Sequence, residues 1–379
     1  MRSKSLAIVA AGAGLTLVLT ACGGNSTSAG SNSTAASSGA SSSAGKSSGA
    51  KVGVILPDTK SSARWESQDR PLLQKALTAA GLEPIIQNAE GDTTKFSSIA
   101  DQMITQGVKV ILMANLSSES GAAVQKKAAE AGVVTIDYDR LTLGGSAGYY
   151  VSFDNTKVGQ LQGQGLVDCL GAKAPASIIQ INGSPTDNNA TLFKNGALSV
   201  LKAKYDSGAY KLAGDQAIQD WDNQLGGKTF EQLLTANGGK VDGVLAANDG
   251  LAGAIITVLQ KNGLNRTVPV TGQDATPAGL QAILRGDQCM TVYKDVAKEA
   301  AAAAALAISL ANGDTAKADA TATASVKDDT GKRSVKSVLL DPQTITKANV
   351  KDVITGGSVT AAAICTGDVA PLCAKAKIS

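Results

Sequence analysis

The stretch LEPIIQNAEGDTTKFSSIADQMITQGVKVILMAN, residues 82–115, decides the fold. It runs strand, turn, helix, glycine, strand: an apolar start, a helical pattern over 94–106, a stop at Gly107 and a β-rich run over 108–113. A glycine just past the last helical residue adopts the left-handed conformation that ends a helix. The same order recurs over 210–249, where Val241-Asp242-Gly243-Val244 echoes Lys109-Val110-Ile111-Leu112. The repeat implies two similar α/β lobes.

Working outward, further strands are expected over 52–56, 133–138, 177–181, 241–246 and 268–271, and further helices over 118–131, 156–170 and 251–262. Gly132 and Gly263 close two of these helices, while Pro71 obscures where the first one starts. Strands alternating with helices give parallel sheets flanked by helices on both faces. Open parallel sheets bind ligands beyond the carboxyl ends of their strands, so two facing lobes place a site in the cleft between them.

Composition narrows the chemistry. The 379 residues are 43% hydrophobic and 3% aromatic, with 41 Gly and a formal net charge of +3, enough for one large or two medium cores and with nothing to suggest a nucleic-acid partner. There is no His, which excludes hydrolytic triads and His-metal sites. Arg2 and Lys4, the apolar run 6–19 and Leu19-Thr20-Ala21-Cys22 read as a lipoprotein signal over 1–21, with Cys22 acylated. Removing Arg2 and Lys4 takes +3 to +1, and a near-neutral surface suits an uncharged ligand. From Cys22 to residue 50 the chain is almost all Ser, Gly, Ala, Thr and Asn, a flexible tether with a reach of roughly 30 Å. The four other cysteines allow three pairings, of which Cys365 with Cys373 and Cys169 with Cys289 is favoured because the first two are close in sequence. None has the spacing of a redox or zinc motif.

Polar clusters follow the strands. They are Asp58 to Trp65, Asp137-Tyr138-Asp139-Arg140, Asn182 to Asn189, Asp220-Trp221, Asn248-Asp249, Gly272-Gln273-Asp274 and Tyr293-Lys294. A sugar needs this mixture, because hydroxyls donate to Asp and Asn oxygens and accept from Arg, Lys and Asn nitrogens. Its C–H-rich faces pack on aromatic rings, and the only two tryptophans stand in these polar loops. Taken singly, each piece has a plainer role. A Trp can be core, Asp154, Asn155 and Asp249 can be helix caps, and Asp139 with Arg140 can be a surface ion pair.

Residues 51 to about 356 resemble the D-xylose-binding proteins of bacterial ABC importers, within the ribose/galactose-type periplasmic-binding superfamily. The segments that carry this are Tyr150-Val151-Ser152-Phe153-Asp154-Asn155, Gly183-Ser184-Pro185 with Asp187-Asn188-Asn189-Ala190, Ala247-Asn248-Asp249, Gly272-Gln273-Asp274-Ala275 and Met290-Thr291-Val292-Tyr293-Lys294. The resemblance implies a periplasmic-binding-protein type I fold with a three-strand hinge near 149–153, 290–294 and 337–342. Lobe 1 is then 51–152 with 293–338, and lobe 2 is 153–292 with 342–379. It further implies that Arg64, Asp139, Arg140, Asp187, Asn189, Asn248, Asp274 and Lys294 hydrogen-bond a sugar, with Trp65 and Trp221 against its ring. Segment 60–65 is more similar to members that accept glucose, galactose and arabinose, so D-xylose and a multiple-monosaccharide specificity both stand.

The resulting expectation is a lipid-anchored, monomeric, extracytoplasmic binding protein with no cofactor, which hands a monosaccharide to a permease with a cytoplasmic ATPase. A sugar-sensing receptor input shares the fold. A glycosidase using Asp139 and Asp274 is disfavoured, since neighbouring cations would keep both carboxylates ionised. A DNA-binding regulator of the same lobe architecture would need a helix pair where the leader and tether stand.

Overall fold

A computed structural model describes residues 49–378. The expected leader, Cys22 and nearly all of the tether lie outside the described residues. Twelve strands are described: β1 (Lys51–Leu56), β2 (Glu83–Asn88), β3 (Val110–Met113), β4 (Val134–Tyr138), β5 (Tyr149–Phe153), β6 (Ala176–Asn182), β7 (Tyr210–Ala217), β8 (Gly243–Ala246), β9 (Met290–Tyr293), β10 (Ala324–Asp328), β11 (Arg333–Leu340) and β12 (Gln343–Thr346). The helices are α1 (Arg70–Ala79), α2 (Thr93–Thr105), α3 (Ser118–Glu130), α4 (Asn155–Leu170), α5 (Asn188–Asp206), α6 (Asn223–Ala236), α7 (Asp249–Lys261), α8 (Pro277–Arg285), α9 (Val296–Ala311), α10 (Thr315–Thr321), α11 (Val350–Thr355), α12 (Ala361–Ile364) and α13 (Ala370–Lys375).

The first sheet has seven strands in the order β10-β11-β5-β4-β3-β1-β2, parallel throughout except for β10 against β11. Alternation along β1 sorts its side chains: Val52, Val54 and Leu56 pack with Leu73 and Leu77 of α1 and Ala303 and Ala307 of α9. Ile55 packs on the other face with Phe96 and Met103 of α2 and Val124 of α3.

The second sheet is β7-β6-β8, also parallel, between α4 and α5 on one side and α6 and α7 on the other. It continues into the antiparallel pair β9–β12 through a single bridge, Val244 to Val270, and through Cys289 N–H donating to the Val270 carbonyl (2.9 Å). The strand expected over 268–271 is therefore reduced to that bridge, because Pro269 has no N–H to give to a ladder.

The chain passes between the two sheets from β5 into α4, from Lys294 into α9, and from β11 into β12. The third of these strands begins earlier and ends sooner than expected, at Arg333 and Leu340. Cys169 at the end of α4 is bonded to Cys289, just before β9. Cys365 is bonded to Cys373 within the C-terminal helices, whose Ile364 and Val369 pack on Leu280 and Leu284 of α8.

Two expected caps are corrected. Asp154 caps α4, its carboxylate accepting from Lys157 N–H, but Asn155 donates instead to Tyr150, Ser152 and Asn189 side chains. Asn248, not Asp249, caps α7. Asp249 is buried and accepts from Gln288, Thr291 and Thr276, so a helix start that reads as one cap is a cap followed by an internal anchor.

Helices α4 and α5 pack backbone to backbone through glycine. A Cβ on Gly159 would stand 2.0 Å from the Phe193 carbonyl oxygen, and one on Gly196 would stand 2.2 Å from that of Thr156. Gly159→Ala should therefore destabilise by roughly 1–3 kcal/mol through overpacking. Gly253→Ala, in α7 with nothing within 4 Å of its Cβ, should stabilise by roughly 0.5–1 kcal/mol. Urea denaturation of the two variants checks both signs, and equal effects would contradict the close approach.

Candidate functional site

The site starts from one carboxylate. After β1, Asp58 accepts from Lys60 N–H (2.8 Å), Ser61 N–H (2.6 Å) and the Ser61 hydroxyl (2.8 Å), which folds the loop back on itself. Ser61 Oγ in turn accepts from Trp65 Nε1 at 3.1 Å, fixing the indole at the start of the helical turn Trp65–Asp69.

Arg64 precedes that turn and is buried. Its Nε and Nη2 donate to Asp69 (3.0 and 2.8 Å), Nη2 to Glu299 of α9 (2.6 Å) and Nη1 to Asp139 (3.0 Å). A guanidinium has five N–H donors, so one on Nη1 is left uncommitted by these bonds. Burial works against the charge on Arg64, but Asp69, Glu299 and Asp139 outweigh it and hold the group far above its ordinary pKa. Burial likewise pushes the Asp139 carboxyl up, while Lys294, Arg64 and Arg140 pull it further the other way and leave it below the usual range.

From the second sheet, Asp187 caps α5 by accepting from Asn189 N–H (2.9 Å), accepts from Trp221 Nε1 (3.1 Å) and lies 3.1 Å from Arg140 Nε. Trp221 meets Phe193 edge to face, with ring centroids 6.4 Å apart. Its indole lies directly over Gly183, where a Cβ would come within 2.0 Å of the ring. Lys294, just past β9, sits 3.3 Å from Asp274 and 3.7 Å from Asp139.

These groups meet in one cavity between the two sheets, at the carboxyl ends of their strands. All ten expected residues line it: Arg64, Trp65, Asp139, Arg140, Asp187, Asn189, Trp221, Asn248, Asp274 and Lys294. Asp139 and Arg140 are buried rather than a surface pair. Trp65 and Trp221 each belong to the core of their own lobe and still reach the shared cavity. Ser61, Ser62, Gln273 and Phe193 complete the lining. The first three stand in the quoted polar loops, whereas Phe193 sits inside α5, where its apolar helical spacing reads as core. Asn248 has little left for a ligand, because its oxygen caps α7 and its amide donates to the Ser61 carbonyl (3.1 Å).

Two features mark this cavity as a built site. Three residues of its lining, Asp139, Trp221 and Asp274, have positive φ without being glycine, a strain that persists where surrounding structure over-determines it. Gln273 Oε1, in the lining, is buried without a hydrogen-bond partner among the described residues, which leaves an acceptor for a ligand hydroxyl. The lobes also touch directly: Asn189 donates to the Asp139 carbonyl (2.8 Å), Ser62 to Asp274 (3.3 Å) and Asn223 to the Lys60 carbonyl (3.4 Å). The conformation is closed.

Residues 52–315 match the model of the periplasmic binding protein domain. The chain is 37% identical to the D-xylose-binding periplasmic protein of Escherichia coli over 304 residues, covering 80% of this chain and 89% of that one. It is 35% identical over 322 residues to the multiple sugar-binding periplasmic receptor of Rhizobium radiobacter, covering 81% and 89%. An ABC transporter solute-binding protein from Clostridium phytofermentans, solved with bound β-D-glucose, superposes with a TM-score of 0.76 at 29% identity, covering 83% of this chain and 99% of that one. With paired parallel sheets, three crossings and a polar cavity at the strand ends, the chain belongs to the periplasmic binding protein family.

Proposed function

We propose that this protein captures a monosaccharide, D-xylose first, outside the cytoplasm and delivers it to an ABC permease. The observation that carries this is the balance of the cavity: three cations, Arg64, Arg140 and Lys294, face three carboxylates, Asp139, Asp187 and Asp274, beside two indoles. A cavity with charges of both signs in equal number favours a neutral ligand rich in donors and acceptors over any ion. The D-xylose-binding relatives favour the pentose. Ser61 and Ser62 in the lining, from the segment similar to broader-specificity members, and the multiple sugar-binding relative favour the second reading, several monosaccharides in one site.

Binding without turnover fits the carboxylates. Lys294 lies between Asp139 and Asp274, and Asp139, held below the usual range, has no proton to donate to a glycosidic oxygen. Leu19-Thr20-Ala21-Cys22 supports a lipid anchor, and a cavity completed by one chain supports a monomer. The tether would let the body tilt onto the permease.

Calorimetry with a pentose and hexose panel should give one site per chain, with D-xylose bound; heat from no pentose or hexose would contradict the proposal. Trp221→Ala should weaken binding by roughly 1 kcal/mol or more. Gly183→Ala should weaken it as well, by driving the indole out of place, and wild-type affinity in both variants would remove Trp221 from the site.

Burial pushes Glu299 up to about 8, against the pull of Arg64. Its folded pKa thus lies above the ordinary 4.5, so its stabilising contribution is full below 4.5 and is lost as pH rises through about 8. Asp137 and Asp249, pushed up to about 7 by burial, act with the same sign. Glu299→Gln should therefore narrow the drop in Tm between pH 6 and pH 9, and a drop as large as in the wild type would contradict an uncharged Glu299.

A further inference from the structure

Behind the cavity, where β5 leads into α4, five buried residues share one polar network: Asp139, Tyr150, Ser152, Asn155 and Asn189. Its centre is the main-chain carbonyl of Asp139, a residue held at φ +62°. That oxygen accepts from Ser152 Oγ (2.8 Å) and Tyr150 OH (3.1 Å) on its own sheet, and from Asn189 Nδ2 (2.8 Å) on the opposite lobe. Asn155 Nδ2 lies within reach of Tyr150 OH (3.1 Å), Ser152 Oγ (3.2 Å) and Asn189 Oδ1 (3.0 Å), while its own Oδ1 has no hydrogen-bond partner among the described residues. Tyr150 OH is also 3.4 Å from Asn189 Oδ1.

Only Asp139 and Asn189 of these five line the cavity. Tyr150, Ser152 and Asn155 stand behind them and hold the pair together. Asn189 bonded to the Asp139 carbonyl and Tyr150 OH beside Asn189 Oδ1 join the first sheet to the N-terminus of α5 and require the two lobes to be closed. Asn155, at the start of α4 in the second lobe, braces Asn189 and reaches back to Tyr150 and Ser152.

Resting on the binding reading above, we infer that Tyr150 and Asn155 are positioning residues of a closure clasp: they set how much of the protein is closed, and thereby its affinity, without touching the sugar. Apparent affinity scales with the populated fraction of the binding-competent state. Weakening the clasp lowers that fraction for every ligand alike. The effect therefore falls on affinity and dissociation rate, and it spares the preference among sugars.

The test uses the full chain with Tyr150→Phe, which keeps the ring and removes the bridging hydroxyl, and Asn155→Ser as an independent second variant. Small-angle scattering without ligand should show a larger radius of gyration than the wild type. Stopped-flow tryptophan fluorescence should show sugar dissociating about three- to tenfold faster, the worth of one or two neutral hydrogen bonds, with the rank order of sugars unchanged. Two correctly folded variants with wild-type scattering and wild-type dissociation overturn the clasp. So does a changed rank order, which would place these side chains on the sugar itself. Should the wild type bind no monosaccharide, the binding reading fails, and the unliganded scattering comparison alone still decides the clasp.

Discussion

A guanidinium can be taken out of water only if carboxylates surround it, and that constraint organises this molecule. Arg64 is buried among Asp69, Asp139 and Glu299, which come from the turn after β1, the end of β4 and the first turn of α9. The three acidic residues are separated by up to 230 residues, the span from Asp69 to Glu299, so the cluster ties the two passages of the chain through the first lobe to one point. Removing one partner of such a cluster costs far more than the cluster itself contributes, because it leaves a buried charge uncompensated. The same cluster presents Asp139 to the cavity with its charge intact, and Lys294 and Arg140 extend the pattern across the cleft.

The second constraint is steric. Gly183 leaves room for the Trp221 indole, and Gly159 and Gly196 let α4 and α5 approach closely enough to carry Asp187, Asn189 and Phe193 to their places. Positive φ at Asp139, Trp221 and Asp274 turns the backbone at the ends of the strands and loops so that side chains of both lobes face inward. The cleft is thus held by rigid elements. The hinge network behind it is the part with a reason to differ between open and closed forms.

Much of this was legible in the sequence because polar residues crowded at strand ends have few structural reasons to be there. The loops carrying Arg64-Trp65, Asp139-Arg140, Asp187 to Asn189, Asp220-Trp221 and Asp274 all converge on the cavity. What stayed hidden lies on helices, where residue type says little about which way a side chain faces. Phe193 repeats an apolar spacing and reads as core, and Glu299 is one acid at the head of an alanine run, resembling a solvated charge although it is fully buried. The hinge network was hidden for another reason, since Tyr150, Ser152 and Asn155 look like an ordinary strand and cap until Asp139 and Asn189 are brought beside them. Lysine and serine positions interrupt the apolar pattern of β10 and β11.

The most direct measurement is a crystal structure grown with D-xylose. The pyranose should occupy the cavity between Trp65 and Trp221, with its hydroxyls on Arg64, Asp139, Asn189, Asp274 and Lys294 and its faces free of charged groups. Sugar density elsewhere on the surface, around an empty cleft, would contradict capture of a neutral polyol between the lobes.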